Sequence, residues 1–195
     1  QRFPGHAKFH QKSLKERKIS VLFADITDST GLAESMGAKE FGKLLNKYYL
    51  EITNIIFDKG GVVRYLGDGV MSVFGMSDEQ INHNLSAVQA GIATIKHIKT
   101  FSNEFDRPVN LRLSVKTGYA VVGYVGTSQR VKFTVLGDLV NVAHGMLQHA
   151  KPNRLLVGEE TYQKISDEYS MEPMKPIKVK GRKRPVKLYE VLLNN

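Results

Sequence analysis

The chain has 195 residues, of which 42% are hydrophobic and 24% are charged, so its length and composition are those of one ordinary globular domain. It contains no cysteine, which excludes disulfides, thiolate metal ligands and a cysteine nucleophile, and which is typical of a reducing compartment. No apolar run approaches the roughly 20 residues that span a bilayer, and no signal peptide is recognisable. We therefore predict a cytoplasmic domain, with any membrane anchor or sensor placed upstream of Gln1.

The formal net charge of +9 is concentrated near the two ends of the chain, at residues 8–18 and 175–187. A solvated basic surface is the favoured interpretation of this pattern. The alternative is that these clustered cations bind the phosphate groups of a nucleic acid or of an anionic membrane. The central cations of the second cluster are Lys178, Lys180, Arg182, Lys183 and Arg184. The predicted strands lack the aromatic signature of an RNA-binding sheet, so a nucleic-acid partner is disfavoured.

Along the chain, residues 1–18 are polar and basic and are predicted to form a linker or approach segment, followed by one domain at 19–195. Apolar periodicity and turn signals predict the elements of this domain. The predicted strands are 19–24, 62–66, 70–74, 131–136, 155–157 and 186–193, and the predicted helices are 29–57, 78–101, 139–150 and 159–165. Residues 111–125 alternate in hydrophobicity and contain Gly118 and Gly123, which predicts two paired strands with a tight connection. Strands and helices alternate without the rhythm of a doubly wound sheet, so we expect an α+β fold with helices covering a mostly antiparallel sheet.

The first candidate site is the turn that follows Asp25, which ends the apolar strand at 19–24. Small and hydroxyl-bearing residues occupy this strand-to-helix turn, and they are Thr27, Asp28, Ser29 and Thr30. Free backbone N–H groups at the start of the next helix can cradle a phosphate. The alternative is that Asp28, Ser29 or Thr30 caps the helix and nothing more. The segment alone leaves both interpretations open.

The second candidate residue is Asp68, which lies in the turn between two predicted strands. Asp-Gly is ordinary hairpin chemistry, so Asp68 taken alone is interpreted as structural. If the strands that carry Asp25 and Asp68 are neighbours, however, the two carboxylates meet at one edge of the sheet. Two close carboxylates repel unless a cation neutralises them, and oxygen ligands suit Mg²⁺, Mn²⁺ or Ca²⁺. A phosphate loop beside such a pair is the arrangement that metal-assisted phosphoryl chemistry needs.

Four stretches together resemble the catalytic domain of class III adenylyl/guanylyl cyclases, over nearly the whole chain from residue 19 to residue 191. They are VLFADITDST, GGVVRYLGDGVMSVFG, GYVGTSQRVKFTVLGDLVNVA and GRKRPVKLYEV. The resemblance implies a ferredoxin-like βαββαβ core and a head-to-tail homodimer with nucleotide sites at its interface. It also implies a nucleoside triphosphate ligand and two divalent cations.

The resemblance further implies roles for individual residues. Two metal-binding aspartates fall on Asp25 and Asp68, and the backbone carbonyl that joins them falls on Ile26. The partner subunit contributes the base-selecting pair, which falls on Arg64 and Thr134. An asparagine that contacts the ribose and phosphates falls on Asn141.

The chain departs from the family pattern at three positions. Arg64 replaces a base-recognising lysine, and Asp28 replaces a glycine that is common in the phosphate loop. Gly145 stands four residues after Asn141, where the family has an arginine that stabilises charge on the reacting phosphate. Residues 141 and 145 are one helical turn apart, so both are expected to face the nucleotide, whereas His144 is expected to point elsewhere.

These departures lead to a principal hypothesis and an alternative. The principal hypothesis is an ATP- and metal-binding cyclase-like domain whose cyclisation is absent or very slow. The alternative is an active adenylate cyclase, which converts ATP to cyclic AMP and pyrophosphate with the missing charge supplied by Arg64 or by a partner chain. ATP is favoured over GTP because Arg64 only donates hydrogen bonds and adenine, unlike guanine, offers an acceptor at N1.

Overall fold

A computed structural model describes residues 14–105, 107–126, 131–180 and 182–193 of the chain. These residues form eight strands and five helices. The strands are β1 (Lys15–Ile26), β2 (Val62–Leu66), β3 (Gly69–Phe74), β4 (Leu111–Gly126), β5 (Val131–Leu136), β6 (Arg154–Gly158), β7 (Met171–Pro173) and β8 (Leu188–Val191). The helices are α1 (Ser29–Met36), α2 (Ala38–Asp58), α3 (His83–Glu104), α4 (Asp138–Leu147) and α5 (Glu159–Ile165).

The strands form one mixed, mostly antiparallel sheet with β1 near its centre. The order is β2-β3-β1-β4-β6-β8-β7, and β5 pairs with β4 beside this path. β4 and β6 run parallel, and the other pairings between these strands are antiparallel. The order β2-β3-β1-β4, with helices between β1 and β2 and between β3 and β4, is the predicted ferredoxin-like βαββαβ core. The α+β fold class is therefore confirmed.

β1 is buried on both faces, and its alternating side chains enter two separate cores. Leu22, Ala24 and Ile26 belong to the core that the sheet forms with α2 and α3. Ile19, Val21 and Phe23 belong to the core that the sheet forms with α4. Since side chains alternate along a strand, the next position on the α4 side is residue 25. The burial pattern of β1 thus directs the Asp25 carboxylate to the α4 face.

Two sequence expectations about helices and strands are wrong. The helix predicted at 29–57 is two helices, because Gly37 adopts φ +83° and breaks the chain direction between α1 and α2. The two strands predicted at 111–125 are one continuous strand, β4, whose hairpin partner β5 comes later in the chain. Gly118 marks a close approach rather than a turn, since a Cβ atom there would lie 3.2 Å from Leu139 Cδ1 on α4.

Smaller differences concern the ends of elements. β1 begins at Lys15, so residues 15–18 of the predicted approach segment pair with β4 in the sheet. The short strand β7 has no counterpart in the sequence analysis. In the described residues, no helix is both long and apolar enough to cross a bilayer. The division of the chain into segments 1–18 and 19–195 stays a prediction, and residues 1–13 lie outside the described residues.

The junction before the β2–β3 hairpin gives a stability prediction. A Cβ atom at buried Gly61 would lie 2.5 Å from Ile56 Cγ2 and 2.7 Å from Phe74 Cε1. We expect Gly61→Ala to lower the free energy of unfolding by about 1–3 kcal/mol, the usual cost of overpacking a core. Gly42→Ala is the matched control, because its Cβ on α2 would meet nothing within 4 Å. Urea unfolding should show a lower midpoint for Gly61→Ala only, and equal midpoints would contradict the packing argument.

Candidate active site

The antiparallel pairing of β1 with β3 brings Asp25 next to the hairpin tip that carries Asp68. Asp25 pairs with Gly69 of β3 on one side and with Arg112 of β4 on the other. Burial raises the pKa of the Asp25 carboxyl, and the negative charge of Asp68 raises it further. The two acidic side chains predicted to meet at one sheet edge therefore do so. Their role as metal ligands stays a prediction.

Gly69 makes room for the Asp25 carboxylate. A Cβ atom at Gly69 would lie 2.7 Å from Asp25 Oδ1 and 2.9 Å from the Ala24 carbonyl oxygen. From its sequence, the glycine after Asp68 is expected to be a turn residue. The structure gives it a second role, because any side chain at this position would compete with the carboxylate for the same space.

Arg112 is a charged neighbour of Asp25 that the sequence analysis missed. Its Nη2 lies 3.8 Å from Asp25 Oδ2, and the guanidinium opposes the rise in the pKa of Asp25. The Nε atom of Arg112 is buried without a hydrogen-bond partner in the described residues. The only sequence signal was a cation between the apolar Leu111 and Leu113, since its nearness to Asp25 depends on the β1–β4 register.

The turn after β1 adopts the geometry of a helix cap. Asp28 has φ +53° and ψ +44°, and its carboxylate accepts a hydrogen bond from the Gly31 N–H at 3.3 Å. A Cβ atom at Gly31 would lie 2.6 Å from Asp28 Oδ2, so the carboxylate lies over the first turn of α1. The capping interpretation of Asp28 is thus observed. A phosphate role for Thr27, Ser29 and Thr30 stays a prediction, although the Thr27 hydroxyl is buried and has no partner in the described residues.

The donor atoms at this edge suit a hard divalent cation. Asp25 and Asp68 offer carboxylate oxygens, and Ile26, the last residue of β1, offers a backbone carbonyl. In the described parts of the chain, no group of three or more His, Cys, Asp or Glu side chains is placed to hold a metal. A cation here would therefore complete its coordination with backbone carbonyl, water or ligand oxygens. Such a shell is usual for Mg²⁺, which keeps several waters and binds substrate phosphates.

The predicted base-selecting residues lie on different strands. Arg64 of β2 pairs with Met71, whose buried side chain belongs to the α4 core, so Arg64 lies on the same face of the sheet. Thr134 of β5 pairs with Gly123 and donates a hydrogen bond to the Lys132 carbonyl at 3.3 Å. No hydrogen bond joins Arg64 and Thr134 within the described part of one chain. Their joint role in base selection stays a prediction.

Helix α4 presents Asn141 to solvent, but Gly145 does not face open space. A Cβ atom at Gly145 would lie 3.0 Å from Val179 Cγ1 and 3.2 Å from Val179 Cγ2. Val179 thus occupies the space beside Gly145 within the chain, and the expectation that both positions face a nucleotide stays a prediction. His144 instead makes a T-shaped ring contact with Phe23 at a centroid distance of 5.4 Å, and it opposes the rise in the pKa of Asp25. His144 thus points nearer to Asp25 than its helical position suggested.

A cavity of about 430 Å³ lies at the other end of β1, away from the aspartates. Arg17, Lys18, Gly75, Ser77 and His83 are among its lining residues. Arg17 is paired with Asp78 at 2.5 Å, and Lys18 is paired with Glu160, so two of the three Lys and Arg side chains that line it are already neutralised. The cavity therefore does not compete with the Asp25 edge as a candidate site.

Comparison with known proteins identifies the family. Residues 12–193 match the family described as the adenylate and guanylate cyclase catalytic domain. The terminal-differentiation-specific adenylate cyclase of Dictyostelium discoideum is 31% identical over 184 residues, which are 90% of this chain and 9% of that protein. Adenylate cyclase 1 of Rhizobium meliloti is 27% identical over 197 residues, which are 96% of this chain and 29% of that protein. The chain thus spans less than a third of the length of these two curated relatives.

Solved structures agree with this assignment. The adenylyl cyclase CyaB from P. aeruginosa superposes with a TM-score of 0.87 and 31% identity, covering 94% of this chain and 97% of that one. The guanylate cyclase domain of RhGC from Catenaria anguillulae, solved in complex with GTP, gives a TM-score of 0.84 and 28% identity, covering 93% and 100%. The matched family covers the described sheet, both aspartates and α4. This chain therefore belongs to the adenylate and guanylate cyclase catalytic domain family, as a class III cyclase domain.

Proposed function

We propose that the domain binds ATP together with two divalent cations in a head-to-tail homodimer, and that its cyclisation of ATP to cyclic AMP is absent or very slow. The observation that carries the proposal is the pair of carboxylates, Asp25 and Asp68, held together at one edge of the sheet. Two like charges in a half-buried place are unfavourable unless something positive joins them. A divalent cation that also binds the triphosphate supplies that positive charge.

Asp25, Asp68 and the Ile26 carbonyl would hold the cations, which can be Mg²⁺, Mn²⁺ or Ca²⁺. Divalent cations at such a site polarise phosphate oxygens and make the attacking hydroxyl more acidic. The guanidinium of Arg112, 3.8 Å from Asp25, brings a further positive charge to the place where a triphosphate would lie. A bound triphosphate would therefore be attracted by a cation of the chain itself as well as by the metal ions.

Phosphate contacts are assigned to the turn before α1, at Thr27, Ser29 and Thr30. Backbone N–H groups at a helix start favour anions, and the helix dipole adds to this effect. Asp28 works against it, because its carboxylate is a negative charge over the same helix turn. We therefore expect this loop to bind phosphate more weakly than one with glycine at position 28.

Base and ribose contacts are assigned to the partner subunit, through Arg64, Thr134 and Asn141. The curated relatives described above are adenylate cyclases, whereas one similar structure is a guanylate cyclase domain with GTP. The choice of ATP rests on Arg64, which can donate to adenine N1 but has no acceptor for the guanine N1–H.

The slow turnover is assigned to Gly145. An arginine acting on a phosphoryl transition state is worth roughly 10³–10⁵ in rate. That factor corresponds to about 4–7 kcal/mol of activation free energy. In a symmetric homodimer both sites lack this arginine, so binding should survive better than catalysis.

A second candidate is a working adenylate cyclase, and the other cations near the site favour it. Arg112 lies beside Asp25, and Arg182 lies against α4, where its Nε is 2.7 Å from Asp138 Oδ2. Either cation, Arg64 or a partner chain would then replace the missing charge. Cyclic AMP formation at about 1 s⁻¹ or faster, an ordinary enzyme rate, would favour this candidate over slow turnover.

The metal pair gives the first test of function. Because burial and the charge of Asp68 raise the pKa of Asp25, the metal-free protein should lose stability as pH rises through that pKa and Asp25 ionises. Asp25→Asn and Asp68→Asn should therefore each raise the melting temperature without metal, and each should abolish the stabilisation by Mn²⁺ with ATP that the wild type shows. Differential scanning fluorimetry with and without Mn²⁺ and ATP measures both effects. A wild type that gains no stability from metal and ATP would contradict the proposal.

Gly69 gives a second test. Gly69→Ala places a Cβ atom 2.7 Å from Asp25 Oδ1, so the carboxylate must move. We expect metal-dependent ATP binding to weaken by about 10- to 100-fold, the usual effect of a misplaced binding group. Gly67→Ala in the same hairpin is the control, since its Cβ would meet nothing within 4 Å and only backbone strain at φ +65° is added. Calorimetric dissociation constants that rise equally in both variants would point to the turn and not to Asp25.

Gly145 gives a third test. Because a Cβ atom at position 145 would crowd Val179, the arginine is introduced together with Val179→Ala, and Val179→Ala alone is the control. We expect Gly145→Arg/Val179→Ala to form cyclic AMP at least about tenfold faster than the control, since the transition state regains a cation. Equal rates, measured by product formation with Mn²⁺ and ATP, would contradict the assignment of slow turnover to Gly145.

A further inference from the structure

Val179 occupies the place where a side chain at position 145 would begin. Its two γ-methyl groups lie 3.0 and 3.2 Å from the Cβ position of Gly145. Contacts this short are tighter than ordinary van der Waals separation, and the β-branched valine has little rotamer freedom to yield. The contact in the structure therefore depends on glycine, because every other residue carries a Cβ.

A hydrophobic cluster also holds Val179 in place. It packs against the cluster that contains Val142 and Met146 of α4 and the bridged pair Ile177 and Val186. The pairing of Ile177 with Val186 closes the base of the segment that carries the cations Lys178, Lys180, Arg182, Lys183 and Arg184, here called the basic loop. Val179 thus joins the base of the basic loop to α4 at Gly145.

A second contact fixes the basic loop nearer the start of α4. The Arg182 N–H donates to the Val179 carbonyl at 3.1 Å, which forms a turn. The Arg182 guanidinium pairs with Asp138, with Nε 2.7 Å from Oδ2. Asp138 and Gly145 are seven residues apart, so they lie on one face of the helix about 10 Å from each other. Asn141 lies between them on that face.

We propose that Gly145 is the docking point of the basic loop and acts as a positioning residue for Arg182. The absent side chain admits Val179, and the docked loop places the Arg182 guanidinium on the helix face that carries Asn141. The guanidinium on this face is therefore supplied from the loop and not from the helix, and Asp138 offsets its charge until an anionic ligand competes for it. A half-exposed ion pair contributes little by itself, so the Val179 contact is the part of the docking that matters.

The docking of the basic loop and its effect on ligand binding depend on different observations. The contact between Gly145 and Val179 exists without any ligand. The use of Arg182 for phosphate binding rests on the proposed function, in which Asn141 faces a nucleotide. Two experiments separate these two parts.

Trypsin tests the docking, because the basic loop carries four of its cleavage sites, after Lys178, Lys180, Arg182 and Lys183; Arg184 precedes Pro185 and is not cleaved. Gly145→Ala, by crowding, and Val179→Ala, by lost contact, should each speed cleavage after the loop cations by about fivefold or more, as expected for a local overpacking or cavity cost. The double variant should be cleaved more slowly than either single variant, because the new methyl group fills the space that the valine leaves. Gly42→Ala adds the same methyl group to α2, where nothing lies within 4 Å, and should leave loop cleavage unchanged. If Gly145→Ala were cleaved at the wild-type rate, or if the double variant were cleaved faster than both single variants, the docking would be overturned.

Equilibrium binding of Mg²⁺–ATP tests the positioning role. Gly145→Ala and Arg182→Gln should each weaken binding by about five- to tenfold, the usual effect of losing one charge-assisted contact. The two substitutions together should weaken it no further than Arg182→Gln alone, which a merely structural effect of Gly145→Ala would not give. Additive losses would overturn the positioning role. A wild type that binds no ATP would overturn the proposed function and the role of Arg182, and the trypsin experiment would still decide the docking.

Discussion

The site is organised by electrostatic repulsion between two carboxylates that the sheet does not allow to separate. Asp25 is fixed by its pairing with β3 and β4, and Asp68 is fixed by the short turn that joins β2 to β3. Burial of β1 in two cores supplies the restraint, because moving Asp25 away would disturb side chains on both faces of the strand. The fold thus stores an unfavourable interaction at one edge, and a bound cation can relieve it.

Glycines decide how closely groups approach at this site. Gly69 leaves space that the Asp25 carboxylate fills, and Gly145 leaves space that Val179 fills. In the first case the missing side chain admits a charge, and in the second it admits a loop that carries charges. Gly145 is therefore more than a missing side chain, because the space beside it is occupied by another part of the same chain.

Much of this arrangement could be predicted from local sequence. Asp25 follows an apolar strand and Asp68 lies in a two-strand turn, so strand pairing alone brought them to one edge. The places of Arg112 and Val179 could not be predicted, because they depend on contacts between segments distant in sequence. The turn expected at Gly118 was wrong for the same reason. Gly118 accommodates Leu139 of α4, a neighbour that periodicity within one strand cannot reveal.

The length of β1 constrains how the rest of the protein can influence the aspartates. The strand pairs without interruption with β4 from Lys15 to Ile26, so whatever precedes Lys15 is joined to Asp25 by a stiff strand of about 33 Å. Sliding this strand by one residue would turn Asp25 onto the face of α2 and α3 and expel apolar side chains from both cores. Mechanical signals that enter at Lys15 must therefore tilt or shift the sheet as a body, since the strand has no low-energy way to slip.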